Sequence, residues 1–514
     1  MVIFPWWTEA QKDLAGELEK FADEKTPEAQ ELVWRRKYPY SIIEEMGRRG
    51  WLGAIIPEEY GGSLSKMGYT GSCMVMEQIS RISLVNMQYI VTMCNAYMIL
   101  KLGRETLKKE FLPKMARGEI LAALTVTEPY AGNDSAGVET TARRENGSYI
   151  LNGKKRFITA AGASDIYVIL ARTSEDPEAI KKHKHLTMFI VEKKAPGFTI
   201  ERINELTGFD NMYNAYLDLR EVKVDPSKVI GDIGDGWEIL MSMVNYERLL
   251  ASASALGPMG ESLRYANFHL QRRIQFGQPT FDLPTNQFKV ADIIIRYHTA
   301  RLLTYYAAYL FDLGQLPIME VSIAKCFNAD EGLKLYTDAI QLMGGDGVTK
   351  FYPVESFLRD GKIVQLAPST SDIMRLILPR FGARVFTSEL RPPRRQMHKE
   401  LNVPVTVGYY GKNPAALSSQ EVSKTELINL LAENYKVNPG LYMHREDIKE
   451  ELSIEDNKLN ELLKSLENER LVKLFRRGKE NIVLARTTLE GLRAAKPLEE
   501  YKWFPAWVDQ KDIF

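Results

Sequence analysis

Few side chains in this 514-residue sequence are grouped in ways that do chemistry, and the groupings exclude several kinds of it. The six histidines fall into no metal-ligating spacing, and His183 and His185 sit in a lysine-rich surface stretch. Cys73, Cys94 and Cys326 are too widely spaced for a disulfide framework or a metal cluster, which favours a reducing compartment. No G-x-G-x-x-G joins a strand to a helix and no G-x-x-x-x-G-K-[ST] is present, which argues against a nicotinamide enzyme or an NTPase. What remains is a Glu–Arg pair in NYERLL (Asn245–Leu250), threonines at strand–loop junctions (Thr127, Thr159), RRIQFGQP (Arg272–Pro279), a glycine turn in QLMGGDGV (Gln341–Val348), and FLRDGKIVQLAPSTSDIMR (Phe357–Arg375). In the last stretch Pro368 breaks a helix, lacking an N–H and disfavouring a helical residue before it. Ser369, Thr370 and Ser371 are hydroxyl residues suited to capping the helix that begins near Asp372.

The elements that must hold these residues follow from periodicity. From about Thr8 to Leu121 the pattern is helical, broken by the Gly/Pro-rich GWLGAIIPEEYGG (Gly50–Gly62) and resumed over Met74–Leu102. From Ala122 to about Ile230 period-two runs (YILNGKKRFITA, DIYVILART, LTMFIVEK, AYLDLREVKV) predict a small antiparallel β-domain, with Asp176–His185 as a solvated hairpin or loop. Beyond GDIGDGW (Gly231–Trp237), apolar faces over Trp237–Phe276, Thr285–Leu313, Pro317–Met343 and Thr370–Glu389 predict a four-helix bundle. The expected class is thus multidomain α+β: helical 1–121, β 122–230, helical bundle 231–389. A Pro/Gly-rich linker, 390–420, leads to a module over 421–500 and an aromatic tail over 501–514.

Composition agrees with a soluble protein. The apolar share is 45%, the charged share 26% and the net charge zero, so no global field draws nucleic acid or an anionic membrane. No signal peptide opens the chain and no window suits a membrane span, which together with the cysteine usage predicts a cytoplasmic protein.

Four stretches in order resemble the acyl-CoA dehydrogenase family of flavoproteins. LTVTEPYAGNDSAG (Leu124–Gly137) is similar to the family's TEPGAGSD segment and KRFITAAGASD (Lys155–Asp165) to its W/F-I-T segment. RRIQFGQP matches R-x-Q-F-G-x-P, and QLMGGDGV is followed by Phe357–Arg375. Their order and the helix–strand–helix texture match across roughly Thr8–Glu389. The resemblance implies FAD. Thr127 and Thr159, beside Val126 and Ile158, would bond the flavin edge, with Phe157 packed on the ring. Arg273 would meet the pyrophosphate by charge-assisted bonds, Gln275 and Phe276 would lie along the adenosine half, and Thr370 and Asp372 belong to the same cofactor set. Gln341, Gly344 and Gly345 would let backbone approach the FAD of a neighbouring subunit, implying a homo-oligomer built as a dimer of dimers.

The family's reaction removes a proton from the α-carbon of an acyl thioester and passes a hydride from the β-carbon to flavin N5. Many members take the base from E-G-T before the last bundle helix, but here that position is Pro368, which cannot be a base. Relatives of the isovaleryl and long-chain types carry it within E-R-L instead, which falls on Glu247, with Arg248 contacting the CoA portion or steadying the pocket. A second departure follows. The E-G-T glutamate also gives a backbone N–H to the thioester oxygen, and proline has none; Ser369, by N–H or hydroxyl, is the nearest substitute. Asn133, Asn245, Arg248, Pro368 and Ser369 are the implied substrate contacts. Tyr130, Asn133 and Ala160 also depart from the family's usual residues. Asn86-Met87-Gln88 offers no arginine for a dicarboxylic substrate, while Tyr89, Met93 and Tyr97 are spaced to line an apolar pocket or simply to fill a core.

The expected function is FAD-dependent α,β-dehydrogenation of an acyl-CoA, with Glu247 as base and an electron-transfer flavoprotein as partner. Alternatives are a same-fold flavoprotein with a different thioester reaction or no catalysis, and an acyl-CoA-responsive DNA-associated protein. In the C-terminal module, Lys424–Glu433, Arg445–Leu452 and Asp456–Glu469 read as helices, followed by strand, turn, strand and a last helix, as in a winged helix-turn-helix. Its candidate recognition helix carries Glu455, Asp456, Glu461, Glu467 and Glu469 against Lys458 and Lys464, so its electrostatics argue against nucleic acid.

Overall fold

A computed structural model of the chain describes residues 3–82, 85–389, 422–437, 442–477 and 481–495. The linker 390–420, the aromatic tail 501–514 and the turn at Lys479 lie outside the described residues. Two units separate, Met1–Val385 and Phe386–Phe514.

Five helices open the first unit: α1 (Glu9–Trp34), α2 (Tyr40–Arg48), α3 (Leu64–Arg81), α4 (Val85–Leu102) and α5 (Glu105–Ala116). Thr8 starts α1 with a capping box: its hydroxyl accepts from Gln11 N at 3.2 Å while the Gln11 side chain accepts from Thr8 N at 3.0 Å. Helix α3 is kinked at Gly68, whose φ of 59° and ψ of −162° suit only glycine. The freed N–H groups of Tyr69 and Thr70 donate to the Asp312 carboxylate at 2.7 and 3.2 Å. A Cβ at Gly68 would stand 2.4 Å from that carboxylate. Gly68→Ala is expected to cost about 1–3 kcal/mol in urea unfolding; a cost below 0.5 kcal/mol, on that same scale, would mean the kink relaxes freely.

The β-domain holds β1 (Ala122–Thr125), β2 (Thr141–Glu145), β3 (Ser148–Thr159), β4 (Ile166–Arg172), a short helix α6 (Pro177–Lys181), then β5 (Leu186–Glu192), β6 (Phe198–Ile203), β7 (Asn214–Val224) and β8 (Val229–Ile230). The order is β6-β7-β3-β2-β4-β5-β8, with β1 beside β4. The sheet is mixed rather than antiparallel. β1 runs parallel to β4 from Ala122↔Ile166 to Thr125↔Ile169, and β2 meets the same strand, also parallel, at Thr141↔Arg172. Alternation marks which residues face inward but is blind to strand direction, which the intervening β2–β3 hairpin decides here. Asp176–His185 contains α6, started by Asp176 and Pro177, in place of a bare loop.

The second helical block contains α7 (Gly236–Ser254), α8 (Leu256–Arg272), a hairpin of β9 (Ile274–Gln275) and β10 (Gln278–Pro279), then α9 (Pro284–Asp312), α10 (Ile318–Met343), α11 (Val354–Leu366) and α12 (Ser371–Glu389). The expected four helices are therefore six. The run Trp237–Phe276 divides at Ala255, because Gly257 lies against the Glu77 carbonyl, 2.3 Å from where a Cβ would be, and Pro258 brings no N–H to the new first turn. The early and late helices share one apolar core. Glu77 of α3 lies in it, accepting from Arg301 Nε at 3.0 Å and from the hydroxyls of Tyr305 and Tyr297 at 2.6 and 3.2 Å. The β-domain has its own core, built around Leu151, Tyr167, Phe189 and Leu217.

The second unit contains α13 (Lys424–Val437), β11 (Met443–His444), α14 (Arg445–Leu452), α15 (Asp456–Asn468), β12 (Val472–Arg477), β13 (Asn481–Thr487) and α16 (Leu489–Ala495), with sheet order β11-β13-β12. Leu427, Leu431, Leu459, Leu463 and Ile482 fill its core. Among the described residues no helix is long and apolar enough to cross a membrane.

Candidate active site

The edge of the β-domain gathers Val126, Thr127, Phe157, Ile158 and Thr159. Where β1 ends, the Thr127 carbonyl accepts from Arg156 N at 2.9 Å, so the two motifs lie side by side. Phe157 has a positive φ of 56°, which turns its ring out; it is 46% exposed while Ile158 beside it is buried. The Arg156 guanidinium covers the ring at 4.2 Å and also donates to the Pro129 carbonyl. Thr127 and Thr159 stay half-buried, with hydroxyls free of hydrogen bonds among the described residues.

A buried ion pair, not anticipated from the sequence, fastens this edge. Lys155 Nζ bonds the Glu128 carboxylate at 2.7 Å, the Leu170 carbonyl of β4 at 2.7 Å and the Val126 carbonyl at 3.2 Å. Both side chains are almost wholly buried. Glu128 also accepts from the N–H groups of Glu139 and Thr140. Burial works to raise the Glu128 carboxyl, but Lys155 and these donors outweigh it and hold it low.

Glu247 lies on α7. It keeps some accessible surface yet is enclosed by protein atoms. Burial pushes its carboxyl up to about 7, against the pull of Arg248. No hydrogen bond reaches it among the described residues. Cys94 on α4 is near enough that the Glu247 charge adds to burial in raising the thiol. Arg248 is buried and donates to Asn245 Oδ1 at 3.3 Å, while its Nε finds no partner.

The Phe357–Arg375 stretch behaves as its residues suggest. The Ala367–Pro368 peptide is cis, and Ser369 has a φ of 62°. Thr370 caps α12, its hydroxyl accepting from Ile373 N at 3.3 Å, and Asp372 points to solvent near Arg375. The Ser369 N–H has no partner among the described residues. Lys325 of α10 is 1% exposed and donates to the carbonyls of Gln365 at 3.0 Å and Ser369 at 2.8 Å. Burial lowers Lys325 to about 8 despite Asp330, and Arg248 is among the charges that lower it further. Arg248, Lys325 and the Pro368 turn are therefore neighbours, and Glu247 precedes Arg248 on α7.

Arg273, Gln275 and Phe276 occupy the exposed hairpin after α8, and Phe276 is 90% exposed at its tip. Its φ of 52° and that of Gly277, 79°, make the tight turn. His269, one turn before Arg273, bonds Asp346 at 2.9 Å and so brings Gln341, Gly344 and Gly345 to the same end. Added Cβ atoms at Gly344 and Gly345 would meet nothing within 4 Å, leaving open room for another group. No hydrogen bond joins this end to the Thr127–Thr159 edge among the described residues. Asn133 is exposed on its loop.

Tyr89 and Met93 turn out to be core, the Tyr89 hydroxyl 3.0 Å from Ser72. Tyr97 stacks on Tyr246 at 5.4 Å and lines a cavity of 670 Å³ with Tyr69, Phe311 and Asp312. That cavity does not include Glu247.

An exposed ring between two hydroxyls suits the flat face and polar edge of a flavin, and the arginine hairpin with its open glycine turn suits a pyrophosphate.

Comparison with known proteins agrees. Acyl-CoA dehydrogenase domain families match in order, the N-terminal domain at residues 8–119, the middle domain at 123–222 and the C-terminal domain at 234–382. An acyl-CoA dehydrogenase of Bacillus subtilis is 35% identical over 378 residues, 73% of this chain and 98% of its own. The solved butyryl-CoA dehydrogenase of Megasphaera elsdenii superposes with a TM-score of 0.70 at 31% identity, covering 75% of this chain and all of its own. A chain from a structure described as the electron transferring flavoprotein of Acidaminococcus fermentans gives 0.70 at 30% identity, covering 76% of this chain and all of its own. The chain belongs to the acyl-CoA dehydrogenase family, oxidoreductases that act on CH–CH bonds.

Proposed function

We propose that the protein dehydrogenates an acyl-CoA thioester at its α,β bond, with FAD as cofactor, Glu247 as base and an electron-transfer flavoprotein as acceptor. The observation that carries this is the enclosed Glu247 carboxyl, raised to about 7, in a chain whose residue 368 is proline. A carboxylate whose acid form titrates near neutrality is basic enough to take a proton from carbon and is still ionised at working pH. Glu247 removes the α-proton, and Arg248 with Asn245 holds the CoA side of the cleft. FAD, when bound, accepts the β-hydrogen with its electron pair. Thr127 and Thr159, with Val126 and Ile158, hold the ring edge and Phe157 covers a face. Arg273, Gln275 and Phe276 hold the pyrophosphate and adenosine half, while Thr370 and Asp372 lie at the α12 start.

Gln341, Gly344 and Gly345 serve the cofactor of a second copy, a reading supported by the open room beside Gly344 and Gly345. Phe288, Ile295 and Leu302, seven residues apart on α9, are all exposed, and that apolar face supports a homo-oligomer, a dimer of dimers. Light scattering is expected to give four chains per particle; a monomer at micromolar concentration excludes this assembly. Cys73, Cys94 and Cys326 are free, which suits a reducing compartment, and the cytoplasm is the location proposed.

Anaerobic addition of an acyl-CoA panel tests the reading: one thioester at least bleaches the flavin band. If none does, a second reading holds, in which the fold binds a CoA thioester but does not oxidise it, as the missing N–H of Pro368 favours.

The order α13-β11-α14-α15-β12-β13-α16 supports a winged helix-turn-helix reading of this unit. Asp456 is paired with Arg445 and Lys449, and Glu467 with Arg476, so the cations best placed for phosphates are neutralised. A docking or assembly role therefore fits this unit better than nucleic-acid binding, and a gel shift at low salt is expected to be negative.

A further inference from the structure

A buried lysine normally neutralises a carboxylate, since an isolated ammonium costs several kcal/mol to bury. Lys325 has no carboxylate in direct contact among the described residues: both of its hydrogen bonds go to main-chain carbonyls, on either side of the Pro368 turn, and Asp330 acts on it from further off. Gln365 lies in the last turn of α11, where unpaired carbonyls gather negative charge, and Ser369 immediately precedes the capping residue of α12. One side chain thus clasps both ends of the turn.

The same helix grips the helix that carries Glu247. Asn328, one turn beyond Lys325 on α10, donates to the Ser252 carbonyl of α7 at 3.0 Å and to Thr304 of α9 at 2.8 Å. Ser252 lies five residues after Glu247 on α7. Helix α10 therefore ties the Glu247 helix and the Pro368 turn to one rigid element, at adjacent positions on its buried face. With its carbonyl held by Lys325 and its φ at 62°, Ser369 leaves its own N–H unpaired.

We infer that Lys325 is a positioning residue: it holds the turn so that the Ser369 N–H meets the thioester oxygen, supplying the donor that Pro368 lacks. This rests on the dehydrogenation reading above. As the α-proton leaves for Glu247, negative charge builds on that oxygen, and a fixed donor lowers the barrier more than it tightens binding.

The test uses the full-length flavoprotein, wild type against Lys325→Met and Lys325→Arg, with a bleaching acyl-CoA from the panel. Lys325→Met is expected to lower kcat by about 10²-fold, the scale of one lost oxyanion donor, with KM changed by less than about threefold. Lys325→Arg, which keeps a buried cation with donors, restores at least about a tenth of the wild-type rate, an order-of-magnitude expectation. Difference infrared spectra should show the bound thioester C=O stretch at lower frequency in wild type than in Lys325→Met. Were Lys325 only a cap for α11, Lys325→Met would melt earlier but keep kcat and the C=O frequency; that result overturns the inference alone. Wild type that no thioester bleaches overturns both it and the dehydrogenation reading. If Lys325→Met fails to fold, Lys325→Arg decides: a raised C=O frequency with kcat lowered in step sustains the inference, and a lower melting temperature with kcat and frequency both at wild-type values refutes it.

Discussion

Glu247→Gln should retain FAD and fold normally, yet reduce its flavin at least about 10³ times more slowly than wild type with any acyl-CoA that bleaches the parent. The glutamine fills the same space without accepting a proton, so KM should move little while kcat collapses. The wild-type rate carries a pH signature. Burial pushes Glu247 up to about 7, and only its ionised form is a base, so kcat/KM should climb with unit slope below pH 7 and level off above it. Stability runs the other way. The folded carboxyl holds its proton up to about 7, whereas the unfolded one, near 4.5, has already lost it, so the native state binds more protons in between. That contribution is fully present below pH 4.5 and is lost as pH rises through 7. Glutamine does not titrate. Glu247→Gln should therefore melt at higher temperature than wild type at pH 8, with the gap closing toward pH 5, as expected where a site trades stability for activity. Bleaching by the glutamine variant within tenfold of wild type, a difference far short of general-base loss, would remove Glu247 from the chemistry.

The sequence made much of this legible because the relevant patterns are local. Helical and period-two texture separated the layers, and Pro368 announced a broken helix. Three things escaped for physical reasons. Strand direction in the sheet depends on how the β2–β3 hairpin crosses, and no residue in β1 or β4 encodes that. The division of α7 from α8 depends on Gly257 meeting the Glu77 carbonyl from a distant helix. The buried lysines were hidden by the habit of reading charge as surface. Yet both occupy inward positions: Lys155 follows Tyr149 and Leu151 on the inner register of β3, and Lys325 sits with Val321, Ala324 and Asn328 on the buried face of α10. A charge at an apolar position is the signal that finds such residues.

Lys155 sets up the second large effect. Lys155→Met keeps the length of the side chain but removes the ammonium from among the Glu128 carboxylate and the carbonyls of Val126 and Leu170. Glu128 is then a buried charge facing only two N–H groups, and two carbonyls lose their donor. Breaking one side of such a pair typically costs about 3–5 kcal/mol. The loss is not spread evenly. Val126 and Thr127 begin the loop beside Phe157, so the cost falls on the edge assigned to the flavin, and the variant should purify pale, regaining colour only with excess FAD. Urea unfolding followed by circular dichroism gives the stability and the flavin-to-protein absorbance ratio gives the occupancy. Removing the partner as well separates charge from packing: Lys155→Met with Glu128→Leu should recover a good part of the stability, because the uncompensated charge is gone, while the N–H groups of Glu139 and Thr140 lose their acceptor and keep the loop loose. Flavin occupancy should then recover less than stability does. A Lys155→Met protein of wild-type stability and full colour would show that water reaches Glu128 and that the pair does not organise the flavin edge.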